Sequence, residues 1–299
     1  MSYRLIALDL DGTILNNDKK VSENSKRVLQ YLCNNTFKNE NGERVEVVLA
    51  SGRATYLIQP VEEALGIDCY FIGYNGSICI STKKQNRKTI FSNRLNKTLQ
   101  SSIYEFADKN KYFLNVYGPE YVYGIDFPEL RHKAVQYASM TGAKYQYIKE
   151  SYKCGILENM PDFEPNKCLA IFEDNDFVDE QIELLRPVFS ELSLVKSNCH
   201  SKEQGYQYYI EFLPKGINKG QSLVDFCKCQ NIPLEQVVAF GDAENDIEML
   251  SQVGLGICLQ NGTEPTKKIS KMVSEYTNDQ DGVARELIKL FNLPLDLIQ

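Results

Sequence analysis

The sequence predicts an α/β protein, a doubly wound parallel sheet core with an inserted α+β domain. Three observations carry this prediction. Apolar runs rich in β-branched residues alternate with helix-patterned stretches at both ends of the chain. From about Lys83 to Leu213 the texture changes to hairpin-like pairs mixed with helices, and twelve of the eighteen tyrosines lie there. The 299 residues are also enough for two domains of ordinary size. The expected division is a core formed by 1–82 and 214–299, interrupted by 83–213.

Each element has a local reason. Segment 3–9 is strand-like, and Ser22 caps a helix to Asn35 whose Val28, Leu29, Leu32 and Cys33 share a face. Val45–Ala50 is a nearly continuous apolar run, the pattern of a strand buried on both faces. A helix through Ala64 and Leu65 stops at Gly66, and Tyr70-Phe71-Ile72 gives a third strand before the turn pair Asn75-Gly76. The same grammar returns with a strand at Val237–Phe240, a helix face from Ile247 to Leu250, a strand at Leu255–Leu259 and a last helix at Val283–Phe291. In the insert, Phe113–Tyr117 pairs with Tyr121–Ile125, and helices are expected at Asn96–Lys109, Glu129–Met140 and Phe177–Phe189. Its tyrosines are expected to pack on a sheet rather than to line a pocket.

Composition narrows the function. The net charge of −7 disfavours nucleic acid and anionic membrane as partners, since both need basic patches. No apolar run approaches the ~20 residues that span a bilayer, and the N-terminus enters a strand without a leader. Nine scattered cysteines, an odd number, argue against a disulfide framework. A cytoplasmic protein is expected. Cys227-Lys228-Cys229 and Cys199-His200 match no usual zinc spacing, and neither His132 nor His200 sits in a nucleophile or ligand pattern.

The chemistry concentrates in four stretches at strand and helix ends. These are Asp9-Leu10-Asp11-Gly12-Thr13, Ser51-Gly52-Arg53, Lys219, and Gly241-Asp242-Ala243-Glu244-Asn245-Asp246. Alone, "DLDGT" reads as a surface turn. In a doubly wound sheet, however, ligands bind outside the carboxyl ends of the strands, where these stretches converge. Asp9, ionised at neutral pH, can attack phosphorus without a separate base and form an aspartyl phosphate. Asp11 takes the opposite role, donating a proton to the leaving oxygen and later accepting one from water. Asp9, Asp242 and the Asp11 carbonyl form an oxygen set suited to Mg²⁺. A bound phosphate monoester of about −2 with Asp9 and Asp242 carries four negatives; Mg²⁺ and Lys219 return three positives. Ser51 and the Gly52 amide, at a helix start, and the Asn245 amide supply hydrogen bonds for the remainder. Asp246 is placed to anchor Lys219 or a metal-bound water.

These residues resemble the haloacid dehalogenase superfamily of phosphohydrolases. The matching stretches are "DLDGT", "SGR", "GINKGQSL" and "GDAENDIEML", with "YNGSI", "IEFLPKGINKG" and "DGVAREL" extending the likeness across the core. The nearest likeness is the Cof-type branch, which has a Rossmann-like core and a large α/β cap between the second and third motifs. The resemblance implies Asp9 as nucleophile and metal ligand, Asp11 as acid/base and carbonyl ligand, and Asp242 as metal ligand. It implies phosphate binding by the Leu10 amide, Ser51, Gly52, Lys219 and Asn245, supported by Thr13, Arg53 and Asp246. Arg53 would contact phosphate or bridge to the cap. Cys258 and Gly262 depart from the alanines usual at those positions, which implies altered packing or access rather than lost chemistry. The expected activity is Mg²⁺-dependent hydrolysis of a small phosphorylated metabolite, with sugar phosphates first. Phosphomutase and a phospho-aspartate signalling module are the rivals. When the ester breaks, Asp9 should be charged and metal-bound, and Asp11 should hold the proton.

Overall fold

The computed structural model describes residues 2–34, 36–118, 121–125, 128–148, 163–201 and 205–298. They form two compact units, one of Met1–Phe91 with Asn218–Gln299 and one of Ser92–Ile217. The first begins with β1 (Leu5–Leu8), α1 (Glu23–Leu32), β2 (Glu46–Ala50), α2 (Thr55–Leu65), β3 (Tyr70–Gly73), β4 (Ile78–Ile80) and β5 (Thr89–Ser92). The second contains α3 (Lys97–Asn110), β6 (Leu114–Tyr117), β7 (Val122–Ile125), α4 (Arg131–Thr141), β8 (Tyr145–Ile148), β9 (Cys168–Phe172), α5 (Asn175–Val188), β10 (Leu192–Ser201) and β11 (Gly205–Pro214). The first unit then resumes with α6 (Lys219–Gln230), β12 (Val237–Gly241), α7 (Ile247–Gln252), β13 (Leu255–Cys258), α8 (Glu264–Ile269), β14 (Met272–Val273) and α9 (Gly282–Phe291). The units divide nine and four residues beyond the sequence-based limits, because β5 joins the edge of the core sheet and β11 runs on to Pro214.

The core sheet runs β14-β13-β12-β1-β2-β3-β4-β5, parallel from β14 through β3, with β4 turning back antiparallel on β3. At its centre, β1 is wholly apolar because both faces are covered. Ile6 and Leu8 pack into the cluster that includes Val28, Leu29 and Leu287, while Leu5 and Ala7 pack against Leu223, Phe226 and Met249. Ser22 caps α1 by accepting from the Ser25 amide, and Gly66 ends α2 in the left-handed conformation. Helix α1 ends at Leu32, short of Asn35.

The inserted unit is a sheet of order β10-β11-β9-β6-β7-β8, antiparallel except for β7 with β8. One face buries Leu114, Val116, Cys168, Ala170, Ile210 and Phe212 with Ile103 and Ala107 of α3 and Val178 and Ile182 of α5. On the other face Tyr137 of α4 meets Tyr145 and Tyr209 edge-on, and Lys167 pairs with Glu211 at 3.0 Å. Tyr137, Tyr145 and Tyr209 thus pack against one another, while Tyr147 and Tyr206 are exposed. The long β10–β11 hairpin was not legible in the sequence, since its Ser193, Lys196, Ser197 and Asn198 dilute the apolar alternation.

The turn between β3 and β4 is left-handed over three successive residues, with φ of +53° at Tyr74, +52° at Asn75 and +111° at Gly76. Gly76 is obligatory there, because a Cβ would stand 2.4 Å from the Asn218 carbonyl oxygen. Ser222 Oγ donates to the Gly76 carbonyl at 2.7 Å, completing the seat of α6 on this turn. Gly76→Ala is expected to lower stability by roughly 1–3 kcal/mol more than Gly42→Ala. The control residue also has positive φ, +76°, but nothing within 4 Å of its missing Cβ. Equilibrium urea unfolding of the two variants reads the difference, and equal losses would mean that the backbone contact is not limiting.

Candidate active site

Asp9 leaves the end of β1 still attached to the sheet, its amide donating to the Phe240 carbonyl at 3.1 Å. The chain then folds into a turn, with the Leu10 carbonyl accepting from the amides of Thr13 at 3.3 Å and Leu15 at 2.9 Å. Gly12 permits this with φ +81°, and its missing Cβ admits Asp242, since an added carbon would lie 2.3 Å from Asp242 Oδ2. Thr13 Oγ1 donates to Asp242 Oδ1 at 2.9 Å. One turn thereby brings the first carboxylate of the motif against an acid from the end of β12.

Lys219, the first residue of α6, fills the interior of this acidic group. Its Nζ donates to Asp9 Oδ1 at 2.6 Å and to Asp246 Oδ1 at 2.7 Å, and its side chain is 1 % exposed. Asp246 Oδ2 accepts from the amides of Asp242 at 3.1 Å and Ala243 at 3.2 Å, so both its oxygens are engaged. Burial, and then the charge of Asp246, push the Asp9 carboxyl up to about 7 against the opposing pull of Lys219. Burial and the charges of Asp9 and Asp246 push Asp242 well above the carboxylate range. Burial opposes the charged form of Lys219, but Asp246 and Asp9 outweigh it and raise the ammonium above its ordinary value.

Asp11 lies in a different environment. Arg53 clamps it in two bonds, Nε to Oδ2 and Nη2 to Oδ1, both 2.7 Å, and Lys19 Nζ adds a third at 2.9 Å to Oδ1. Burial favours the neutral acid, but Arg53 and then Lys19 hold Asp11 well below the usual carboxylate range. In this arrangement Asp9 is therefore the weaker acid and Asp11 the stronger. The cause is where the cations stand: one ammonium lies among three acids around Asp9, whereas two cations, Arg53 and Lys19, close on Asp11. Lys19 was missed in the sequence, where it reads as a surface residue of a polar turn. That turn is braced from the chain's far end, by Asn17 on Asp279, Asn278 on the Leu15 carbonyl and Asn261 on the Gly12 carbonyl.

The second motif forms a loop rather than a helix start. Helix α2 begins at Thr55 with Ala54 as its cap, so Ser51 and Gly52 precede it, correcting the expected helix-start placement. Ser51 Oγ accepts from the Arg53 amide at 3.1 Å, its amide donates to the Ile72 carbonyl at 2.9 Å, and its carbonyl accepts from the Asn75 amide at 3.0 Å. The Asn75 side chain reaches across to accept from Asn245 Nδ2 at 3.0 Å. Asn75 is a second residue that sequence reasoning undervalued, taking it for a turn former only.

The acidic trio Asp9, Asp242 and Asp246 presents carboxylate oxygens all within 4.8 Å of one another, the one such metal-capable group among the described residues. When all are ionised, three carboxylates with one ammonium carry two negative charges in excess, and the hard oxygen donors match a divalent cation of the Mg²⁺ type. Asp246 spends both oxygens on Lys219 and the two amides, which leaves Asp9 and Asp242 as the carboxylates to hold it. Cys258 and Gly262 lie against each other: a Cβ on Gly262 would meet Cys258 Sγ at 2.3 Å. The larger side chain at 258 occupies the space that the smaller residue at 262 gives up. Cys227 and Cys229 are free thiols, His132 pairs with Glu173 at 3.2 Å, and the side chains of Cys199 and His200 lie outside the described residues.

Residues 6–287 match the model of the haloacid dehalogenase-like hydrolases. The chain belongs to that family. It is 26% identical over 299 residues to the phosphatase YwpJ of Bacillus subtilis, covering 94% of this chain and 97% of that one. It is 25% identical over 289 residues to the 5-amino-6-(5-phospho-D-ribitylamino)uracil phosphatase YcsE of the same organism, covering 96% and 95%. A haloacid dehalogenase-like hydrolase of Bacteroides thetaiotaomicron superposes with a TM-score of 0.77 at 26% identity, over 97% of this chain and all of that one. Membership in this family, with phosphatases as its relatives, makes the chain a phosphoric monoester hydrolase. No helix among the described residues is long and apolar enough to cross a membrane.

Two outcomes follow from this geometry. Asp9 has a higher proton affinity folded than its ordinary 3.8, so its contribution favours the folded state below that value and is lost as the pH rises toward 7. Asp11 acts oppositely, favouring the folded state above 3.8 and losing that contribution on acidification. Chelator-treated protein should therefore melt at lower temperature at about pH 8 than at about pH 5 in scanning calorimetry; a flat profile would mean that the acids are not crowded. Separately, Gly262→Ala should destabilise by roughly 1–3 kcal/mol, and Cys258→Ala should recover about 1–2 kcal/mol of it. A double-mutant cycle without coupling would show that the two positions are independent.

Proposed function

We propose that the chain is a divalent-metal-dependent phosphatase, with Mg²⁺ as the natural ion, acting on a small phosphorylated metabolite through an aspartyl phosphate on Asp9. The observation that carries this reading is the buried contact of Asp9 with Lys219 at 2.6 Å, beside Asp242 and at the carboxyl end of the central strand. A nucleophilic carboxylate needs no base, but it needs its charge balanced before a dianionic ester can approach. Asp9 and Asp242, with the Asp11 carbonyl, would hold the metal ion, which when bound neutralises phosphate charge.

In the proposed reaction an Asp9 oxygen bonds to phosphorus as the bond to the leaving oxygen breaks, and Asp11 gives that oxygen a proton. Water then attacks the same phosphorus, Asp11 takes up its proton, and the Asp9 carboxylate is released with inorganic phosphate. Lys219, Ser51, the amides of Leu10 and Gly52, and Asn245 hold the non-bridging oxygens. Thr13 and Asp246 fix Asp242 and Lys219 in place. To carry a proton, Asp11 must first shed part of its clamp by Arg53 and Lys19. Selection among leaving groups is assigned to the insert read at 83–213 as a cap. A phosphorylated sugar or sugar alcohol is the first substrate class, in keeping with the phosphoribityl compound in the name of the relative YcsE.

Purified protein with Mg²⁺ and p-nitrophenyl phosphate should turn over, stop on chelation, and lose ~10³-fold or more of its kcat in Asp9→Asn. Steady turnover by that variant would remove Asp9 as the nucleophile. In a screen of phosphorylated sugars, sugar alcohols, nucleotides and cofactors, free phosphate should accumulate. A positional isomer without free phosphate would make the protein a mutase, and a long-lived phosphoprotein without turnover would make it a signalling module.

A further inference from the structure

We infer that Asn75 is a positioning residue of the phosphate cradle, coupling the Ser51–Arg53 loop to Asn245. The inference rests on the reading of Ser51, Gly52 and Asn245 as phosphate-binding groups and adds a residue to that site. Its first support is the backbone. Tyr74, Asn75 and Gly76 hold φ of +53°, +52° and +111°, a run of left-handed residues that a β-hairpin does not require at a tyrosine. Such outliers persist where the surrounding structure fixes them, and here it does so from both sides. The Tyr74 amide donates to the Arg53 carbonyl and the Asn75 amide to the Ser51 carbonyl, each at 3.0 Å. The turn is therefore stitched to the loop that carries Ser51 and Gly52.

Its second support is the side chain. Asn75 is 1 % exposed, and its Oδ1 accepts from Asn245 Nδ2 at 3.0 Å, across 170 positions of sequence. An amide nitrogen has two hydrogens; with one held by Asn75, the other has a fixed direction in which to meet a phosphate oxygen. On the other side, a Cβ on Gly52 would lie 3.1 Å from Asn75 Nδ2, so Asn75 also sets how closely that loop can approach. Asparagine suits this place because it tolerates the left-handed region and presents both an acceptor and a donor. Asn75 itself does not touch the phosphate in this scheme. It orients the groups that do.

The test uses the full-length protein with Mg²⁺ and orthophosphate as the probe, read as competitive inhibition of p-nitrophenyl phosphate hydrolysis. Asn75→Gly keeps the left-handed backbone available and removes only the amide. It should raise the inhibition constant for orthophosphate and KM by about tenfold, with a smaller effect on kcat, since a neutral hydrogen bond is at stake. Combining it with Asn245→Ala should weaken phosphate binding no further than Asn245→Ala alone. Asn75→Asp, which keeps the acceptor for Asn245, should recover part of the single-variant loss. Unchanged inhibition by orthophosphate in Asn75→Gly, whether or not its melting temperature falls, would overturn the inference, as would additive effects with Asn245→Ala. Failure of orthophosphate to inhibit the wild-type protein would instead overturn the phosphate-site reading and Asn75's role with it.

Discussion

The site depends on one buried ammonium. Lys219 stands at 1 % exposure between Asp9 and Asp246, with bonds of 2.6 and 2.7 Å. Removing any of these charges from water costs several kcal/mol, about the whole margin of a small domain's stability, so none could be buried singly. Together they specify one geometry: Lys219 fixes Asp9 at the end of β1, and Asp246 fixes Lys219 while its second oxygen shapes the Asp242–Ala243 turn. Everything else in the site is arranged around an interior in which three carboxyl groups share one ammonium.

The chain separates two acids by supplying cations unequally. Asp9 shares a lysine with two other carboxylates, whereas Asp11, two residues on, faces a bidentate arginine and a second lysine. Proximity in sequence thus says little about similarity of environment. The interior group gathers carboxylate oxygens that could hold a cation, whereas the outer carboxylate is already met by cations.

Much of this was legible before the fold was known, because it rests on local rules. The apolar run of β1, the capping Ser22, the left-handed Gly66 and the clustering of acids at strand ends each follow from short-range chemistry. What was not legible is pairing across long separations. Nothing in "NNDKK" marks Lys19 as a partner of Asp11, and nothing in "YNGSI" says that Asn75 will meet Asn245. Ser51 and Gly52 are expected at a helix start, but Ala54 takes the cap position while Ser51 Oγ accepts from the Arg53 amide. The polar stretch at 192–201 hid a strand because its partner, 205–214, supplies the sheet context that composition lacks.

The central strand also sets a timetable. β1 has β2 on one side, close behind it in the chain, but its other neighbour is β12, where Leu5 aligns with Val237. A ribosome adding 5–20 residues per second leaves that second edge of β1 unpaired for roughly ten to fifty seconds. For most of that interval Asp9 has no Lys219 to balance it, and the turn carrying Asp11 has no Asn278 to brace it. The strand at the centre of the finished sheet therefore has an open edge during synthesis, and the site is incomplete until Lys219 and Asp242 have emerged. Conditions that slow translation across the inserted unit should act on yield and aggregation through this open edge.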